Sequence, residues 1–312
     1  MTFKPDLSLV RREILRVLAI AQTFDSAFTR EQVRAFLRLP IPEKHFRMVV
    51  ETLKAERRVW ERQDRLGSGK NPNGQIQRSE WSYRVFVAYR KHLKWIVRLP
   101  WVRYVALTGA NAFESCDPED DVDLFVITCR DRLWLTYGLI VVLSRWLGVR
   151  EKLCVNFLVD EANLELTQQN YFTALQIVQM QSLINHGYKI RFMKKNRWIF
   201  RELPNAAIPR HPNPRYYLGR KNGFWANRTG KWLTCWNRWV YQWYRNRLQR
   251  KFPDVFDRNI VVRPGYAKLN RVDYQNVYRL IDSGIRVRGE LKAAVYREAG
   301  LTNGNTGAIK KS

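Results

Sequence analysis

Apolar residues recur at helical spacing from Leu9 to Ile20, with Val10, Ile14, Val17 and Leu18 on one side, and predict a first helix. Thr29, with Gln32 three residues on, forms a candidate capping box for a second helix running through Leu37. Pro42 predicts the start of a third, Glu43 to Arg57, with Phe46, Val49, Val50 and Leu53 on one face. Val59 to Arg62 predicts a short strand, and GSGKNPNG (Gly67–Gly74) has the composition of a flexible loop tip. Ser79 to Ile96 predicts a connecting helix carrying Trp81, Val85, Ala88, His92 and Trp95 along one side, with Pro100 ending the segment.

The pattern changes after Pro100. Val102 to Leu107 and Asp121 to Thr128 are short, nearly continuous apolar runs and predict buried strands. Arg132 to Leu147 predicts a helix on the back of a sheet. It contains Arg145 and falls short of the ~20 residues of a membrane span. Leu153 to Val159 predicts a third strand. Tyr171 to Leu183 and Phe192 to Leu203 predict two further helices, the second stopping at Pro204. His92 reads as a packing residue rather than a ligand, and His186 has no partners that suggest ligation.

Charge divides the chain more sharply than hydropathy does. The 312 residues carry a net charge of +27, distributed as +10 over residues 1–95, +1 over 96–205 and +16 over 206–312. Such an excess favours a polyanionic partner, nucleic acid first and an anionic membrane surface second. The order helix, helix, helix, strand and basic loop is that of a winged-helix module. Its third helix is a candidate for a major groove, with Arg65 and Lys70 reaching phosphate. Protein contacts or packing on the middle domain are the alternative role for this module. GSGK does not make a P-loop, because the first glycine that the spacing requires is Asp64. Four cysteines without a CxxC pair, and an N-terminus without an apolar leader core, lead to an expectation of a reduced, cytoplasmic protein.

The chemistry concentrates in WVRYVALTGANAFESCDPEDDVDLFVIT, residues 101–128. Residues i and i+2 of a strand share a face, so Asp121 and Asp123 project together from the start of an apolar strand. Paired carboxylates repel unless a cation lies between them, and an all-oxygen site suits Mg²⁺ or Mn²⁺. Gly109 allows close approach of backbone to a ligand, and the N–H groups of Gly109, Ala110 and Asn111 are candidates to cradle phosphate.

TGANAFESCDPEDDVDLFVIT resembles the glycine, spacer, Asp-x-Asp signature of the nucleotidyltransferase superfamily, which has the DNA polymerase β palm fold. Residues 1–205 are more diffusely similar to prokaryotic proteins with a winged helix before such a domain. The likeness is carried by LPWVRYVALTGA, KLCVNFLVDEANLEL and NRWIFRELPN. The resemblance implies an α+β nucleotidyltransferase (polymerase β-like) core at 96–205. It follows a winged-helix module and connecting helix at 1–95, and precedes a basic Trp-rich helical extension at 206–262 and a basic, partly disordered tail at 263–312. It also implies Mg²⁺-dependent transfer of a nucleotidyl group from an NTP to an acceptor, with Asp121 and Asp123 as metal ligands. A catalytically weak or inactive protein, binding nucleic acid or regulating on the same fold, is the alternative. Two departures stand out. Ala110 replaces the family's serine, with Thr108 or Asn111 as candidate substitutes. The strand expected to supply a third carboxylate has Asn156 at its centre and Asp160 and Glu161 only at its end.

In the basic C-terminal part, Trp232, Trp236, Trp239 and Trp243 form one helical stripe ringed by Arg238, Arg245, Arg247, Arg250 and Lys251. Three readings compete: core packing against the catalytic domain, stacking of nucleobases, and residence in a membrane interface.

Overall fold

The computed structural model describes residues 6–69, 72–219 and 230–270, together with Tyr278. The sequence also predicts weak helices near Gln275–Ser283 and Gly289–Glu298; these, apart from Tyr278, lie outside the described residues, as do Lys70 and the ending NGNTGAIKKS.

The N-terminal unit opens with α1 (Leu7–Thr23), capped by the Asp6 carboxylate, which accepts from the backbone N–H of Ser8 at 2.8 Å. After β1 (Phe28–Thr29), the capping box of Thr29 and Gln32 forms and opens α2 (Arg30–Ala35). Next come α3 (Glu43–Ala55), β2 (Trp60–Arg62) and β3 (Arg65–Gly67), which make a three-stranded antiparallel sheet in the order β1-β3-β2. The hairpin turns at Gln63 and Asp64, both at positive φ (48° and 61°), as a two-residue turn demands. The loop tip expected at Gly67–Gly74 is therefore misplaced: Pro72 already begins α4 (Pro72–Ile96).

The second unit is built on a six-stranded mixed sheet. In chain order it adds β4 (Val102–Leu107), α5 (Gly109–Ala112), β5 (Val122–Thr128), α6 (Leu133–Trp146) and β6 (Leu153–Asp160). Then follow α7 (Tyr171–Gln179), β7 (Gln181–Ile184), α8 (Gly187–Lys195), α9 (Ile199–Glu202), α10 (Lys231–Lys251), β8 (Val261–Arg263) and β9 (Tyr266–Lys268). The sheet order is β7-β4-β5-β6-β9-β8, antiparallel throughout except for β5 and β6, which run parallel across the α6 connection.

Alternation along the strands feeds two cores. Tyr104, Ala106, Phe125, Ile127 and Val159 face α7, α8, α9 and the N-terminal unit. Val105, Leu107, Leu124, Val126, Val155 and Leu158 face α4 and α6. The sheet is thus covered on both sides, and the fold is a mixed α and β one.

The long helix expected over Tyr171–Leu183 is cut short. Met180 turns extended, and the chain continues as β7 against β4. Lys189, buried, donates from Nζ to the carbonyls of Val178 (3.0 Å) and Met180 (2.6 Å), placing its amine over the C-terminal carbonyls of α7. Its burial lowers the ammonium pKa to about 7. The helix expected over Phe192–Leu203 divides at Asn196, whose side chain accepts from Leu166 N and donates to the Leu164 carbonyl.

α10 docks on α6 through its polar and aromatic side. Asn237 Oδ1 accepts from the N–H groups of Trp134 (3.0 Å) and Leu135 (3.1 Å), capping α6 from outside its own sequence. Trp134 and Tyr137 pack on Tyr241 and Tyr244. Core packing of the tryptophan stripe is therefore corrected. Trp232, Trp236, Trp239 and Trp243 lie on the opposite side and are 47–64% exposed.

Candidate metal and nucleotide site

Three segments meet at the start of β5. The loop before it delivers Asp121, the strand delivers Asp123, and the turn after β4 delivers Gly109. Thr108 N donates to the Asp123 carbonyl at 2.9 Å, so the turn is tied to the strand by backbone. Gly109 has φ +55°, and a Cβ built there would overlap Asp123 Oδ2. Two separate demands, handedness and space, thus call for glycine at this position. Asn111 is buried, accepting from Asp123 N at 2.8 Å and donating to Cys116 Sγ at 3.0 Å. Its side chain braces the strand; it does not stand in for the missing serine hydroxyl. Ala110 offers only its backbone. The N–H groups of 109–111 open α5 and, as in any first turn, have no partner inside the helix.

β6 runs alongside and contributes two side chains that sequence reading ranked poorly or passed over. Cys154 pairs with Asp123 in register, and its thiol donates to Asp121 Oδ2 at 2.7 Å. Burial, with Asp121 adding to it, pushes that thiol well above the ordinary cysteine range, so it stays protonated. Leu124 pairs with Val155, but Phe125 pairs with Phe157, which makes Asn156 the extra residue of a bulge. The bulge aims the Asn156 amide back at Asp123, and Nδ2 donates to Oδ1 at 2.5 Å. One ligand atom each from Asp121, Asp123 and Cys154 lies within 4.8 Å of the others.

The carboxylate pair fits a hard divalent cation such as Mg²⁺ or Mn²⁺, whose remaining positions water and phosphate oxygens fill. A protonated thiol is a poor ligand for either ion. Cys154 is accordingly better suited to hydrogen-bond Asp121 than to complete a shell.

Asp160 and Glu161 do not belong to this site. β6 runs parallel to β5, so Asp160 pairs with Thr128, six residues beyond Cys154, about 20 Å at ~3.3 Å per residue. Asp160 is buried there, accepting from Ala162 N, Asn163 N and Asn163 Nδ2. Glu161 pairs with Arg103 at 3.3 Å. Of the three candidates for a third polar group on this strand, the structure brings only Asn156 to the aspartates. Replacing it by aspartate is expected to lower the melting temperature in chelator, because a third carboxylate then crowds Asp123. In Mn²⁺ the same variant should show a larger upward shift than the wild type, as differential scanning fluorimetry will read.

The N-terminal candidates for phosphate contact fare differently. Arg65 is not at the surface: its guanidinium pairs with Glu114 and also donates to the Ala27 carbonyl and Ser79 Oγ. The outer face of α3 carries Glu43 and Glu51 among its cations. Arg47 bonds Glu43 at 2.8 Å, and Lys54 bonds Glu51 at 2.9 Å and Glu61 at 2.6 Å. A charge-balanced helix is a weak electrostatic match to a phosphate backbone. Among the described residues no helix is long and apolar enough to cross a membrane. Compared with models of protein families, with curated proteins and with solved structures, the chain matches none.

Proposed function

We propose that the protein is a metal-dependent nucleotidyltransferase acting on an NTP. The observation that carries this reading is the Asp121/Asp123 pair at the start of β5, pressed against the positive-φ Gly109. Asp121 and Asp123 would hold the divalent ion, Mg²⁺ or Mn²⁺. Bound there, such an ion neutralises charge on the triphosphate and acidifies an acceptor hydroxyl. Gly109 lies against the Asp123 carboxylate, and the amides of Gly109, Ala110 and Asn111 would supply donors for phosphate oxygens. Asn111 keeps Asp123 in place through the strand's own N–H, and Asn156 orients its carboxylate. An amide cannot take up a proton, so the acceptor's proton leaves to solvent or to a phosphate oxygen and not to β6.

Cys154 and Asn156 in place of a carboxylate favour a second reading, a catalytically weak or inactive protein of the same architecture that binds nucleotide or nucleic acid. Purified protein incubated with each α-labelled NTP, Mg²⁺ or Mn²⁺, and RNA, DNA or protein acceptors tests the first reading directly. Mn²⁺ at a hundredfold excess over its Kd is expected to stabilise the wild type by about 2.7 kcal/mol. The Asp121→Asn/Asp123→Asn variant should fold and lose that response. Equal shifts in the two proteins remove the metal site. A normal Mn²⁺ response without labelled product, for any nucleotide, selects the second reading.

A further inference from the structure

α10 packs Val240, Tyr241, Tyr244 and Leu248 on the core and still carries large aromatics on its outer side. Its inner side, through Asn237, Thr234, Tyr241 and Tyr244, makes hydrogen bonds and ring contacts to α6. Its outer side presents Trp232, Trp236, Trp239 and Trp243 at spacings of four, three and four residues. The stripe is about 16 Å long at ~1.5 Å per residue. α6, on which α10 packs, also exposes Val142 (65%) and Trp146 (79%). Isolated exposed hydrophobics are common, but a row of large aromatics on a helix held firmly in one orientation marks a contact surface. Trp236 and Trp239 meet edge to face at 5.9 Å, so the row is continuous through its middle.

The charge around the stripe says what it meets. The 21 residues of α10 include Lys231, Arg238, Arg245, Arg247, Arg250 and Lys251, and neither Asp nor Glu. Trp243, Asn246, Arg247, Arg250 and Lys251 line a shallow open cleft at the C-terminal end of the helix. The Arg250 and Lys251 charges complement the helix dipole, but the remaining cations are not explained by it.

We infer that the outer face of α10 docks on an anionic lipid bilayer, lying in the plane of the interface with its tryptophans among the upper acyl chains and headgroups. Tryptophan prefers that layer, arginine stems reach from it to lipid phosphate, and six charges forbid a span. A convex helical row presents its rings to a plane, whereas bases of a single strand stack in grooves that enclose them. The inference does not depend on the transfer reaction: the exposed tryptophans of α10 are not among the residues that meet at Asp121 and Asp123.

The test uses the full chain with vesicles of phosphatidylcholine, alone and with about a third phosphatidylglycerol. Wild type should co-sediment with the anionic vesicles, less so at high salt, with tryptophan emission shifting to the blue and quenched by lipids brominated on the upper acyl chain. Trp236→Ala/Trp239→Ala/Trp243→Ala should reduce the bound fraction about tenfold or more. Arg238→Gln/Arg245→Gln/Arg250→Gln should abolish the preference for the anionic lipid. Both variants change exposed side chains, apart from the half-buried Arg245, and an unaltered melting curve will show that they fold. No binding to anionic vesicles, or binding that the tryptophan variant leaves unchanged, overturns the inference. So does tryptophan-dependent binding of a single-stranded oligonucleotide that excludes vesicles, or a tryptophan-dependent dimer that binds no lipid.

Discussion

Alanine at position 109 is expected to lower the proposed nucleotidyl transfer by about 10²-fold or more and to cost ~1–2 kcal/mol of stability. The stability loss comes from forcing a side chain into φ +55°, a conformation L residues adopt at a cost. The loss of transfer comes from space. The new methyl would overlap Asp123 Oδ2, so either the turn lifts away from β5 or the carboxylate swings out of its place beside Asn156. Displacements near 1 Å in a reacting constellation are enough for the stated factor. Steady-state rates and urea midpoints measured on the same preparation separate the two contributions. A variant that loses stability but keeps its turnover would show that Gly109 serves the fold alone.

Glu114→Ala is expected to be the most destabilising single change named here, by about 3–5 kcal/mol. Glu114 sits between the two units. Its carboxylate receives the Arg65 guanidinium, accepts from Tyr216 OH at 3.1 Å and Ser79 Oγ at 3.3 Å, and lies 3.8 Å from Arg215. The Arg65 and Glu114 side chains are 12% and 10% exposed, so removing one leaves the other charged in a poorly solvated place. Glu114→Gln keeps shape and part of the hydrogen bonding and should lose less. The joint replacement Arg65→Met/Glu114→Leu should also lose less than Glu114→Ala, because no orphaned charge remains. Urea unfolding of the three variants against wild type gives the ordering. If the joint replacement is as damaging as Glu114→Ala, the contact matters through packing and not through charge.

Arg65 shows where reading a sequence stops. A basic residue beside a glycine-rich loop looks like a phosphate contact, yet its partner Glu114 is 49 residues away and nothing local announces it. The same holds for Asn156. Its identity was visible, but its reach to Asp123 depends on a bulge that exists only when β6 is laid against β5. β7 was hidden because Met180 carries no proline or glycine signal, and only pairing with β4 ends the helix there. Elements governed by their own residues were legible. The Thr29–Gln32 box, the apolar runs of β4 and β5, and the side-by-side placement of Asp121 and Asp123 all follow from spacing within a few positions. Asp160 could have been excluded beforehand. A helix joining β5 to β6 implies parallel strands, and parallel strands put the end of one beside the end of the other.

The β8–β9 hairpin has a consequence for how the molecule comes into being. β9 covers the free edge of β6, and Leu269 N donates to the carbonyl of the bulged Asn156 at 2.8 Å. The strand that steadies Asp123 is therefore secured by residues over a hundred positions further along the chain. During synthesis, β4, β5 and β6 can assemble early, but β6 then waits with one row of backbone groups unpaired, a template for association with other chains. Contacts of such long range form late and set the pace of folding. Cutting the chain after residue 205 to remove its basic part would recreate that unfinished state, stripping both the edge strand and the Asn237 cap of α6. Loss of nucleotide binding in such a fragment would report an incomplete sheet, whatever the removed charges do.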